Sequence, residues 1–176
     1  IVYIKSEGFL TPAHVARLAD AGVVAAVPYA LVRENPARDP FLTELVPRVD
    51  RARIVSGIGE RPAIVHLREF GLAGFTSGSV CIAPRGSMAI LAALGAHDDA
   101  TAERVRTAYI PLEDLRDALS PIVVLHEAVT LAGIADMGPI LPMLSNLAVA
   151  EHPRVRAAAM ALLAHDRLLA PSTAAA

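Results

Sequence analysis

Short runs of β-branched and aliphatic residues alternate along the chain with longer stretches in which apolar positions recur every three or four residues. The short runs cover residues 1–4, 23–27, 53–56 and 72–77, and they are continuous rather than alternating in polarity. A continuous apolar run predicts a strand buried on both faces. The periodic stretches between them predict helices over 11–21, 39–46, 62–70 and 84–94. Thr11-Pro12, Asp39-Pro40 and Ser120-Pro121 each read as an N-cap followed by proline in the first turn, where the missing N–H costs nothing. Gly22, Gly71, Gly95 and Gly133 stand where helix C-termini need a left-handed residue.

Four strand–helix repeats imply parallel strands joined by right-handed crossovers. After Gly95 only helices are expected, over 98–118 with a kink at Pro111, 120–132 and 151–169, then a frayed tail at 171–176. Four parallel strands leave two edges and a sheet face in need of cover. They fit either a small open α/β sheet or the second half of an α/β barrel whose first half is absent. On the second view residues 1–95 form the half-barrel and 96–176 a helical extension. The chain opens on Ile1 with neither an initiator methionine nor a signal-peptide pattern, so a missing N-terminal portion is expected.

Composition narrows the classes. The 176 residues are 54% hydrophobic, with a mean hydropathy of +0.47, which excludes disorder. The length is short for a complete eight-stranded α/β barrel of about 250 residues. The richest apolar stretch, 21–32, is interrupted by Pro28 and bounded by Asp20 and Arg33, so no membrane span is expected. The 18 acidic and 16 basic residues are dispersed, for a net charge of −2, and no basic block points to nucleic acid. A single cysteine, Cys81, excludes a disulfide framework and any multi-cysteine metal site, and fits a reducing, cytoplasmic setting. No cofactor and no metal are expected.

Lys5 is the only lysine, and the other 15 of the 16 basic residues are arginine. Arginine keeps its proton, so Lys5 alone among these side chains can form an imine. It stands two residues beyond Tyr3, which puts both side chains on one face of a strand. The plainer alternative is a solvated lysine past the strand end. The segment Ser56-Gly57-Ile58-Gly59-Glu60-Arg61-Pro62 lacks the third glycine of a dinucleotide fingerprint and the lysine of a P-loop. Its backbone N–H groups suit a carboxylate or phosphate, with Arg61 as a clamp, or it is a tight turn and nothing more. Thr76 and Ser77 end the fourth run, where hydroxyls either bond ligand oxygens or cap the next helix. Cys81 lacks a nearby base and is expected to be a packed, inert thiol. His126-Glu127 has Thr130 where a zinc motif needs a second histidine, and His66 is expected to make a helix–helix contact.

The ordered series formed by Tyr3, the helix 10–19, the run 23–27, Ile54-Val55-Ser56-Gly57, Gly74-Phe75-Thr76-Ser77 and the turn Gly138-Pro139-Ile140-Leu141-Pro142 resembles the C-terminal part of the dihydrodipicolinate synthase / N-acetylneuraminate lyase family. The resemblance implies a TIM (β/α)8 barrel, of which this chain carries strands five to eight, followed by a C-terminal helical region. It implies a Schiff-base lyase, dehydratase or aldolase acting on a 2-keto acid or sugar acid, with a lysine on strand six and a proton-shuttling tyrosine on strand five. Tyr3 matches the tyrosine, Gly57 the glycine beside the keto acid, and Thr76 and Ser77 the strand-eight contacts. The family's lysine position, 18 residues beyond Leu10, is Pro28.

The family's Asn-x-Pro-x-Arg stretch is replaced by Ile4-Lys5-Ser6-Glu7, and Cys81 stands where an asparagine is common. The expected catalytic pair is therefore Tyr3 and Lys5, with burial favouring the neutral amine. Ser56, Gly57, Gly59, Thr76 and Ser77 are the expected substrate contacts. The competing expectation is an inactive relative that binds a carboxylated metabolite as a sensor; an interaction scaffold is a third. Alanine- and leucine-rich helices after Asp98 predict a homo-oligomer, and no nucleic-acid or membrane partner is expected.

Overall fold

A computed structural model describes residues 1–140 and 142–169. The chain divides into two compact units, Ile1–Ser77 and Gly78–Ala176.

The first unit is a sequential parallel sheet with helices on one face. Strand β1 (Val27–Tyr29) pairs in parallel with β2 (Ile54–Ser56), matching Val27 to Ile54, Pro28 to Val55 and Tyr29 to Ser56. Single parallel bridges extend the sheet on either side, Ile4 to Tyr29 and Ser56 to Phe75. The sheet order thus follows the sequence. The crossovers are α1 (Pro12–Asp20), α2 (Pro40–Leu45) and α3 (Ala63–Arg68).

The caps explain where the first two helices start. Thr11 Oγ1 accepts from His14 N at 3.2 Å while His14 Nδ1 accepts from Thr11 N at 3.4 Å, a reciprocal capping box. Asp39 Oδ1 accepts from Leu42 N at 3.0 Å. The core lies between sheet and helices and includes Ile4, Val15, Val27, Tyr29, Leu42, Leu45 and Ile54.

One strand differs from expectation. The run 23–27 overlaps β1 only at Val27, and Val23 is 67% exposed. Gly22, at φ +72°, turns the chain out of α1, and hydrogen-bonded partners become available mainly beyond it. Pro28 lies inside β1, where its carbonyl accepts from Ile4 N at 2.9 Å.

In the second unit a 3-10 turn (Ser79–Cys81) leads into α4 (Pro84–Gly95), α5 (Asp99–Thr107), α6 (Ile110–Ala118), α7 (Pro121–Leu131) and α8 (His152–Leu168). The expected single helix over 98–118 is two. Pro111 falls in the first turn of α6, so it begins a helix instead of kinking one. Gly95 lies inside α4, and the left-handed residue past its end is His97 at φ +60°. Within this unit α4 packs on α5 and α8. Leu141 of the expected turn and the tail 171–176 lie outside the described residues.

The N-terminus of α4 is held from α8. Asp166, 1% exposed, accepts from Gly86 N at 2.8 Å and from Arg85 Nη1 at 3.1 Å, replacing the cap that Ala83 has no side chain to supply. Tyr109, fully buried, donates to Ala83 O at 2.5 Å. A Cβ on Gly86 would overlap the Tyr109 hydroxyl and stand 3.0 Å from two of its ring carbons. Alanine normally improves a helix interior by about 1 kcal/mol over glycine. Here overpacking of about 1–3 kcal/mol opposes that gain, so Gly86→Ala is expected to lower stability by about 1 kcal/mol in urea unfolding. A stabilised variant would show that Tyr109 shifts freely.

Candidate functional site

Register sorts the side chains of the sheet into two faces. Ile4, Tyr29, Ser56 and Phe75 form one row across the two strands and the two flanking bridges. Ile4 is 3% exposed, and Tyr29 and Ser56 are fully buried toward the helices. Neighbouring positions point the other way. The opposite face therefore carries Tyr3, Pro28, Val55 and Gly74 in one row, and Lys5, Ala30, Gly57 and Thr76 in the next toward the strand C-termini. Tyr3 is 51% exposed on that face, and Lys5 and Thr76 are exposed as well.

Register thus brings four of the expected residues together: Tyr3, Lys5, Gly57 and Thr76, with Pro28 beside Tyr3. The Tyr3 hydroxyl donates to Gly57 O at 2.6 Å, spanning β1 to reach it. Side-chain bulk at Gly57 is limited on three sides, since a Cβ there would meet Tyr29 O and the Tyr3 hydroxyl at 3.1 Å and Ala30 Cβ at 3.2 Å. Ser77 is half-buried.

Other expectations are corrected. The amide cradle does not form, because Ser56 N donates to Gly74 O at 2.9 Å, Gly57 N to Tyr29 O at 2.6 Å and Gly59 N to Thr76 O at 3.0 Å. Sheet pairing and the turn that follows it consume the donors that an anion would need. The Ser56 hydroxyl points to the helix side and shares a 2.8 Å hydrogen bond with His66 Nδ1. Lys5 is exposed, so the burial expected of an activated amine is absent. Cys81 is exposed rather than packed, because the 3-10 turn carries it outward. His66 packs against the sheet, not against another helix. Among the described residues no three His, Cys, Asp or Glu side chains gather in a metal-binding group.

Behind the sheet lies a polar cluster whose connections the sequence did not announce. Asp39, 1% exposed, accepts from the Tyr29 hydroxyl, from Arg33 Nε at 3.2 Å and from Leu42 N. Arg33 Nη2 also donates to Glu7 Oε1 at 2.6 Å. Burial, reinforced by the hydrogen bond to Asp39, drives the Tyr29 pKa well above the ordinary tyrosine range. Burial opposes the charge on Arg33, but its bonds to Asp39 and Glu7 outweigh this and raise its pKa. His66, fully buried, has its pKa lowered to about 4 by burial, against a small opposing pull from Asp39. The only legible signal for this cluster was the cap reading of Asp39; Tyr29 and Arg33 offered none.

Comparison of the fold gives one consistent set of neighbours. Dihydrodipicolinate synthase from Bacillus clausii superposes with a TM-score of 0.75 at 23% identity, over 89% of this chain and 52% of that one. The fold is that of dihydrodipicolinate synthase. The synthase from Cyanidioschyzon merolae, solved with lysine bound, gives a TM-score of 0.76 at 15% identity over 91% of this chain and 53% of that one. YagE from E. coli K12, a prophage protein of the dihydrodipicolinic acid synthase family solved with pyruvate, gives 0.70 at 23% identity, over 87% and 51%. The chain spans about half the length of these structures, so it carries part of the synthase barrel together with helices. No family model and no curated protein sequence matches the chain. No described helix is long and apolar enough to cross a membrane.

Proposed function

We propose that the face carrying Tyr3, Lys5, Gly57 and Thr76 binds a 2-keto acid or sugar acid in a Schiff-base lyase, dehydratase or aldolase. In this proposal residues 1–95 are barrel strands five to eight with their helices, and 96–176 the helical extension. The carrying observation is the bridge from Ile4 to Tyr29, which sets Tyr3 beside Pro28 and leaves Lys5 on the same face, about 6.6 Å further along the strand.

Once it has given up its proton, the Lys5 amine attacks the keto carbon, and loss of water from the carbinolamine leaves the imine. The Tyr3 hydroxyl, oriented by Gly57 O, moves the proton that accompanies the departing hydroxyl. Thr76 offers its hydroxyl to the substrate carboxylate. The proposal extends to a homo-oligomer in the cytoplasm, on the composition of the helices after Asp98 and the single cysteine.

Pro28 favours a second reading. A pyrrolidine at the position of the family's lysine has no amine to offer, and the protein then binds the keto acid without turnover, as a sensor. Borohydride trapping with pyruvate separates the two. The first reading expects a reduced pyruvyl adduct on the peptide containing Lys5, lost in Lys5→Arg. A keto acid that raises the melting temperature but leaves Lys5 unlabelled establishes the sensor. No shift and no label with a panel of keto acids and sugar acids removes both.

A further inference from the structure

The segment after the bridge residue Ile4 carries Lys5 and turns at Gly8, where φ is +91°. It is tied at one side-chain point to the segment after β1. Glu7 Oε1 accepts from Arg33 Nη2 at 2.6 Å across 26 residues of sequence. Arg33 is itself fixed from below, because Asp39 accepts from its Nε at 3.2 Å and from its Nη2 at 3.5 Å. Asp39 cannot swing away, being buried and held by the Tyr29 hydroxyl and Leu42 N. The arginine fork therefore transmits the position of a buried carboxylate to a loop at the rim.

We infer that Arg33 is a positioning residue, a clasp that holds Glu7 and so fixes the 5–9 segment and the Lys5 amine over the open face of the sheet. The inference rests on Lys5 being the reacting amine for its consequence in catalysis, and on geometry alone for the clasp. Side-chain exposures of 20% for Arg33 and 61% for Glu7 make this outer link a weak, screened pair. It is too weak to hold the fold and strong enough to bias a loop. About a fivefold shift in the occupancy of the ordered segment is expected from its loss, with little change in melting temperature.

The test uses the whole chain with Glu7→Gln, Glu7→Asp and Arg33→Lys. Amide hydrogen exchange over residues 5–10 is expected to quicken about fivefold in Glu7→Gln and to recover partly in Glu7→Asp. Arg33→Lys is expected to resemble Glu7→Gln, because an ammonium lacks the fork that spans two carboxylates. Raising salt should quicken exchange in the parent and leave Glu7→Gln unchanged.

Pyruvate trapping then reads position: the trapping rate constant falls about fivefold in Glu7→Gln while the half-saturating pyruvate concentration stays within a factor of two. Equal exchange in parent and Glu7→Gln overturns the clasp. So does a change in exchange that spreads beyond residues 5–10, which would mark general destabilisation. A parent that fails to trap pyruvate while exchange responds as expected removes the Schiff-base reading and leaves the clasp standing.

Discussion

Replacing Asp39 with alanine is expected to lower the unfolding free energy by about 3–4 kcal/mol, measured by urea denaturation at neutral pH. Three groups lose their acceptor at once: the Tyr29 hydroxyl, the Arg33 guanidinium and the first turn of α2 through Leu42 N. Removing one member of a buried ion pair costs about 3–5 kcal/mol when the other charge is trapped. Arg33 is 20% exposed at its side chain and relaxes toward water, which moves the expectation to the lower part of that range. Tyr29 cannot relax. It is fully buried, stacked on Phe41 at 5.7 Å between ring centroids, and an unsatisfied buried hydroxyl costs about 1–3 kcal/mol.

Asp39→Asn separates hydrogen bonding from charge. The amide oxygen keeps Leu42 N, and the Tyr29 hydroxyl, which bonds the other carboxylate oxygen, turns to accept from the amide NH2, so a smaller loss of about 1–2 kcal/mol is expected, the charge-assisted share. An alanine variant within 1 kcal/mol of the parent would mean that the cluster is replaceable by water. For a domain stable by about 5–15 kcal/mol in total, the alanine variant is expected to be marginal at 37 °C.

The second large effect is a pH dependence that belongs to His66. Its pKa falls from 6.5 to about 4 on folding, so the unfolded chain binds a proton across a range where the folded chain does not. Stability is therefore complete above pH 6.5 and declines as pH falls toward 4, by up to about 1.4 kcal/mol per pH unit and about 3 kcal/mol in all. The physical event is burial of a charge among Tyr29, Phe70 and the Ser56 hydroxyl, where only Asp39 exerts a compensating pull.

Carboxylates titrate in part of the same window, so the decisive measurement is a difference. Stability of the parent and of His66→Leu is compared from pH 7.5 to 4.5, each relative to its own value at pH 7.5. The leucine variant is expected to start lower, with Ser56 left unpaired, and to fall less steeply. Parallel curves would show that His66 accepts its proton without penalty.

Much of the fold was legible along the chain because local chemistry dictates it. Thr11, Asp39 and Ser120 cap helices where side-chain oxygens meet free N–H groups. Gly22, Gly71 and Gly133 take positive φ where helices end. The strand–helix alternation implied a parallel order, and the β1–β2 pairing and the two flanking bridges are parallel. The family resemblance implied only that Tyr3 and Pro28 stand on successive strands; the register sets them side by side.

Legibility failed where the deciding neighbour was remote in sequence. The two glycine amides of the 56–59 turn were free on paper and are taken by Tyr29 O and Thr76 O. Ser56 was an equally good ligand contact until register turned it toward His66. Asp39 carried a cap in sequence and a charge cluster in space, and Asp166 became a helix cap only when α8 met α4. Periodicity, capping and backbone preference act within a few residues, so the amino-acid sequence by itself determined the elements, their order and the uniqueness of Lys5. Hydrogen bonds between strands and burial of charge act across tens of residues, so only the tertiary structure decided which face each side chain serves and which polar groups remain available to a ligand.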